Sequence, residues 1–253
     1  MLNRLARVDS PYVYKEWDRL LRQHPDQPLV KQFLHSIRHG ADIRYRGPLH
    51  AHREFPTTMH DATCRDVLEG EIVRQIQQGW LVGPLERHHI PFENYIVSPM
   101  FGIPRQEGKK WRLIHDLTHG PEPTVNANVD PTEFLLRYPR IDDVVQTIQR
   151  LRQGRPNRPI WLYKSDIASA FMHIVVRLED RRWLLFQYQD KYFIRLTVSM
   201  GCRSSPGLFE IPVALFKWIL KAQYPVLHRD TTSFVDDFCG VVPDSLTTTR
   251  ETV

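Results

Sequence analysis

A chain of 253 residues, 42% hydrophobic and 25% charged, has the make-up of an ordinary globular protein of one to two domains with a real core. No apolar run approaches a membrane span and Met1-Leu2-Asn3-Arg4 opens no signal-peptide core, so the expected setting is intracellular, in cytoplasm or nucleus, with no membrane partner. The net charge of +5 rests on 26 Arg against 8 Lys; it permits a nucleic-acid partner without requiring one, and Arg makes forked phosphate contacts that Lys cannot.

Helical patterns between breakers fill the first 60 residues. Ser10 is placed to cap a first helix that Pro11 opens, with Val13, Trp17, Leu20 and Leu21 on one face. A second runs from Pro28 through Val30, Phe33, Leu34 and Ile37 until Gly40 stops it, and residues 42–60 read as a loop. Asp61 or Thr63 caps a third helix, which carries Val67, Leu68, Ile72, Val73 and Ile76 and ends at Gly79. His88 and His89 read as loop residues. Cys64, Cys202 and Cys239 stand far apart, with no spacing that suits zinc.

Two alternating stretches, Tyr95 to Pro104 and Trp111 to Leu117, predict a β-hairpin with a basic tip containing Arg105, Lys109 and Lys110. Such a hairpin can close over a polyphosphate or stand as a solvated turn. Ile141, Val144, Val145, Ile148 and Leu151 fall at helical spacing and predict a core helix stopped by Gly154. Arg150, Arg152, Arg155 and Arg158 at its end form either a phosphate-facing edge or a favourable C-terminal charge pattern.

Residues 160–167 predict a buried strand that becomes polar at Asp166, where a short helix begins; that carboxylate is either a helix cap or one member of a metal site. A further hairpin turns at Gln189-Asp190, and an apolar helix follows from Leu208 to Leu220, with a kink expected at Pro212. Last, Ser233 to Val242 predicts two short strands with Asp236 and Asp237 at their tip. Adjacent carboxylates joined by a third acid can hold Mg²⁺, or the pair is an acidic turn in water. Asp142-Asp143, a second such pair that suits a helix start, shows how little the dipeptide says alone.

Four of these stretches in order resemble the motifs of a reverse transcriptase: Trp111-Arg112, Asp166-x-x-x-Ala170-Phe171, Gly201-x-x-x-Ser205-Pro206-x-x-Phe209 and Phe234-Val235-Asp236-Asp237. Arg203-Ser204-Ser205-Pro206 and Phe234 to Phe238 are most similar to the polymerases of DIRS-type retrotransposons. The resemblance implies an α+β right-hand polymerase, with fingers from the basic hairpin and an antiparallel palm sheet backed by helices. Residues 1–90 would be a helical lead-in, 91–140 the fingers hairpin region and 141–253 a partial palm. So little chain follows the Asp pair that the resemblance implies truncation, with the thumb absent.

The implied chemistry is RNA-directed DNA synthesis within a retrotransposon polyprotein. Asp166, Asp236 and Asp237 would be catalytic, holding two Mg²⁺ ions, with Mn²⁺ the alternative. Arg105, Lys110 and Arg112 would bind the triphosphate, and Phe171 would crowd the sugar. Met200 and Gly201 would lie under the nucleotide, and Ser205 and Pro206 under the template. Ser199-Met200 departs from the family's usual Pro followed by Gln or an aromatic residue. Partners would be an RNA or DNA template with primer and deoxynucleoside triphosphates. The alternative is an inactive relic that acts as a nucleic-acid-binding or interaction module.

Overall fold

The computed structural model describes residues 2–105, 110–130, 132, 136, 138–154, 157, 159–225 and 230–243. Of the positions singled out above, 106–109 at the hairpin tip, Arg155, Arg158 and the stretch from 244 onward lie outside them.

The first helix, α1 (Tyr14–Leu21), starts later than its breakers suggest and has no side-chain cap. The Ser10 hydroxyl instead accepts from Tyr12 N in the preceding turn, a local bond that competes with capping. Of its apolar set only Leu21 is fully buried, and Val13 is 62% exposed. Helix α2 (Gln27–His39) follows its signals: Asp26 accepts from Leu29 N at 2.9 Å, and Val30, Phe33, Leu34 and Ile37 are buried. Gly40 ends it at φ 85°, where a Cβ would collide with the Arg177 backbone. In α3 (Ala62–Gln77) Asp61 is the cap, accepting from Cys64 N at 2.8 Å, and Leu68 and Ile72 face inward.

A five-stranded mixed sheet has the order β1 (Arg53–Glu54), β3 (Ile96–Val97), β7 (Leu185–Tyr188), β8 (Lys191–Arg195), β2 (Leu81–Leu85). The pairs β1/β3 and β3/β7 are parallel and the rest antiparallel. It draws strands from all three segments of the chain, and the 42–60 loop supplies its edge. Gln189 and Asp190 turn β7 into β8 with φ of 48° and 59°, the left-handed pair a two-residue hairpin needs. Leu68 and Ile72 of α3 pack with Leu81, Phe186 and Phe193 to cover one region of this sheet.

The alternating stretch from Tyr95 divides at Ser98-Pro99. Before it β3 joins the large sheet; after it β4 (Met100–Arg105) pairs only with β5 (Lys110–His115). Pro99, with no N–H to offer a ladder, marks the break. A third, wholly antiparallel sheet has the order β6 (Ile160–Asp166), β10 (Asp237–Pro243), β9 (Thr232–Phe234). The long apolar helix α5 (Ser205–Gln223) contains Pro212 and buries Leu215 and Ile219 against α2, and Phe209 and Val213 in the largest core cluster.

Two expectations of burial fail. Helix α4 (Ile141–Gly154) has no buried residue and Ile141 is 74% exposed; on β6, Trp161 is 47% and Leu162 60% exposed. Val144, Ile148 and Leu151 are half-buried, but Val145 of the same predicted set is 42% exposed, so the periodicity identifies the inward face only in part. Its depth is shallow because α4 lies against β10 and β6, in a sheet only three strands wide with β6 at its edge. Among the described residues no helix is long and apolar enough to cross a membrane.

Candidate active site

The β9–β10 hairpin turns at Val235 and Asp236, with Val235 at φ 55°, and Asp237 opens β10 opposite Phe234. On its other side β10 pairs with β6 in a register that sets Asp237 directly across from Asp166. Residues directly opposite in an antiparallel pair point to one face, so these two carboxylates share it. Ile167 N donates to the Asp236 carbonyl at 3.0 Å, fastening the turn to the residue after Asp166. Asp166 caps no helix: Ser169 occupies the cap position of the following turn, Ala170–His173.

Lys164 lies two residues before Asp166 on the same face, and its Nζ is 3.0 Å from Asp237 Oδ1. The hydrogen bond to Asp237, then that residue's charge, raises the Lys164 pKa, and Asp166 and Asp236 add to the effect. Among the described residues no three His, Cys, Asp or Glu side chains are gathered tightly enough to hold a metal ion. The donor set itself, three carboxylates at one end of a sheet, has the hard oxygen chemistry that Mg²⁺ or Mn²⁺ takes.

Phe171 lies in the turn after β6, edge-to-face with Phe209 at 6.0 Å. In the hairpin, Arg105 pairs with Lys110 and Ile103 with Arg112. The register thus puts Arg105 and Arg112 on one face, both exposed, while Trp111 and Leu113 belong to the other.

The hairpin is fixed to the loop before α5 by His115 N, which donates to the Met200 carbonyl at 3.0 Å. There the chains cross so closely that a Cβ on Gly201, at φ 107°, would collide with the His115 carbonyl oxygen; only glycine fits. Ser205 is fully buried and donates to the Ser199 carbonyl at 2.8 Å, so its hydroxyl shapes this loop. Pro206 takes the first turn of α5.

Two residues that pattern did not single out as functional, Asn126 and His115, organise this region, and a third, Glu54, ties together residues at the edge of the large sheet. Asn126 donates to the Gly201 carbonyl at 2.8 Å and accepts from Arg203 N at 2.8 Å, bracing the loop; a polar residue at a loop position carries no sequence signal for that. His115 is fully buried with Nε2 3.2 Å from the Ser98 carbonyl and 3.1 Å from that of Leu185, so Nε2 carries the proton. Burial, with the Arg195 charge adding, pushes its pKa down to about 3 against the two carbonyl bonds. Glu54, in the stretch 42–60 that reads as a loop, accepts from Tyr95 Oη at 2.8 Å, Tyr192 Oη at 2.9 Å and Arg87 Nη2 at 2.8 Å. Burial opposes its charge, but these bonds hold its pKa below the ordinary value.

No protein-family model matches the chain. No curated protein matches it. Among solved structures it is similar to the native prototype foamy virus protease-reverse transcriptase, with a TM-score of 0.53 and 17% identity, covering 94% of this chain and 28% of that one. It is also similar to the foamy viral protease-reverse transcriptase dRH in complex with double-stranded DNA, with a TM-score of 0.54 and 15% identity, covering 92% and 39%. The chain thus spans well under half the length of either neighbour. At these identities the likeness carries the fold, which is α+β and reverse transcriptase-like.

Proposed function

We propose that the chain carries the catalytic part of a template-directed nucleotidyl transferase that extends a primer with deoxynucleotides. The observation that carries this reading is the register of β6 against β10, which sets Asp166 beside Asp237, with Asp236 in the adjoining turn, on a reverse transcriptase-like fold. The three carboxylates would hold Mg²⁺, two ions in all, with Mn²⁺ the alternative. Bound there, the metal lowers the pKa of the primer hydroxyl and offsets triphosphate charge.

In the reaction the primer 3′-oxygen bonds to the α-phosphorus, the α–β bridging P–O bond breaks, and pyrophosphate leaves. Arg105, Lys110 and Arg112 bind the triphosphate from the hairpin, as forked and charge-assisted donors. Phe171 excludes a ribose 2′-hydroxyl. Met200 and Gly201 support the nucleotide, and the loop held by Ser205, continuing at Pro206, supports the template. In this reading residues 91–140 are the fingers hairpin region, 141–253 a partial palm and 1–90 a helical lead-in. The likeness of Arg203 to Pro206 and Phe234 to Phe238 to the polymerases of DIRS-type retrotransposons supports a polymerase of that kind. That one structural neighbour is a complex with double-stranded DNA supports a primer–template partner.

Primer extension with Mg²⁺ and deoxynucleotides, on RNA and on DNA templates, tests the proposal against an Asp236→Asn/Asp237→Asn variant. Extension by the parent and none by the variant is expected. A folded parent that binds template yet extends nothing, or a variant as active as the parent, overturns it.

A further inference from the structure

Helix α2 turns Val30, Phe33, Leu34 and Ile37 inward, and by helical spacing His35 and His39 fall on the opposite face, one turn apart. Both are exposed. Their rings nonetheless lie against each other, with centroids 4.4 Å apart and planes 32° from parallel. Neither ring makes a hydrogen bond or ion pair with another described residue. By contrast, His24, His52, His119 and His173 each have a polar partner, and His115 is buried on two carbonyls.

Two imidazoles at i and i+4 on one helix face can ligate a single divalent ion, as the same spacing does in helical zinc motifs. Rotation about each Cβ–Cγ bond is soft, so a nitrogen of each ring can turn toward a shared ion. The setting favours a cation in two ways. His39 is the last residue of α2, whose carbonyl end carries partial negative charge. The neighbouring Arg38 guanidinium is drawn aside over the Tyr14 ring, 3.6 Å from its centroid. Among the described residues no third His, Cys, Asp or Glu is close enough to join the pair, so water completes the coordination shell. That disfavours a closed tetrahedral Zn²⁺ site and suits Ni²⁺ or Cu²⁺, which take imidazole in octahedral or tetragonal shells.

We propose that His35 and His39 form a chelating site for a transition-metal ion, Ni²⁺ or Cu²⁺, on the solvent face of α2. A bound ion clips the last turn of a helix whose other face packs with Leu215 and Ile219 of α5. The site uses none of the residues assigned to nucleotidyl transfer and does not depend on that reading.

Isothermal titration of the full chain with Ni²⁺ tests this, in excess Mg²⁺, which occupies oxygen donors and leaves imidazole free. A saturable site is expected, with Cu²⁺ bound more tightly than Ni²⁺. His35→Gln and His39→Gln each leave a single imidazole and should each weaken that site at least about ten-fold, because the second ligand acts at high effective concentration. Gln is a good helix former, so the thermal transition should stay in place. Lys31 is exposed one turn before His35; adding Lys31→His to His39→Gln rebuilds the spacing and should recover most of the lost affinity. His88→Gln/His89→Gln removes the other His–His ring contact among the described residues, at 4.1 Å, and should leave the site unchanged. No saturable Ni²⁺ binding overturns the proposal and leaves the two rings as a contact on a wet helix face. Affinity that survives both single substitutions, that falls instead with His88 and His89, or that Lys31→His fails to recover, does the same.

Discussion

His115 makes one ring serve three segments: its Nε2 proton is shared by the Ser98 and Leu185 carbonyls and its backbone N–H holds Met200. Its pKa falls from 6.5 to about 3 on folding. Between those values the unfolded chain takes up a proton that the folded chain refuses. The stability from neutral His115 is therefore complete above pH 6.5 and is lost as pH falls toward 3, by up to about 1.4 kcal/mol per unit. From pH 7 to 5 this one group should cost about 2 kcal/mol. Urea titrations at both pH values should show that difference in the parent and lose it in His115→Gln; an equal slope in the variant would exonerate His115. Glu54 and Glu71, whose pKa values are lowered from 4.5, act in a separate window below that value. Phe171 answers to a different assay. If it crowds a ribose 2′-hydroxyl, Phe171→Ala should raise ribonucleotide over deoxynucleotide kcat/KM by on the order of ten-fold, a 1.4 kcal/mol change. A competition assay with unchanged selectivity refutes that role, whatever stability is lost with the Phe209 contact.

At the scale of elements, the crossing of β5 with the loop before α5 depends on the missing side chain at Gly201. Gly201→Ala would place a Cβ against the His115 carbonyl at a left-handed φ of 107°, so a loss of at least about 2 kcal/mol is expected. Gly70 is the contrast: it sits inside α3 with nothing within 4 Å of a built Cβ, and Gly70→Ala should gain about 0.5–1 kcal/mol. Denaturant midpoints at constant m check both, and similar shifts for the two would refute the steric argument. Sequence carries part of this architecture because part of it is local. Asp26 and Gly40 bound α2, and the turn residues at 189–190 and 235–236 make their hairpins, by short-range chemistry. The approach of Asp166 to Asp236 and Asp237 was open to inference from a strand end and a hairpin tip, but its register was not. Depth of burial is another matter. The spacing of Val144, Ile148 and Leu151 selects a face of α4 and cannot report that the sheet beneath is three strands wide. Asn126 and Glu54 were invisible for a related reason, since their partners lie up to 138 residues away.

For the molecule as a whole, the arrangement of charge decides how a nucleic acid can approach. The acids sit at one end of the β6–β10–β9 sheet, whereas Arg105 and Arg112 stand exposed on the hairpin, in a chain whose positive excess is mostly Arg. Phosphates drawn to the hairpin face release condensed counterions, and the number released sets the salt response. A site that neutralises about three phosphates should show log affinity falling against log salt with a slope of about −2 to −3. Arg105→Ala and Arg112→Ala together should flatten the slope by about one to two units while leaving the thermal transition in place, because both side chains are exposed on a two-stranded hairpin. Filter-binding titrations between low and physiological salt measure this directly. A parent affinity that does not change with salt would remove nucleic acid as a partner. A steep slope that survives the double substitution would keep the partner and move its track away from the hairpin, to another Arg-bearing surface.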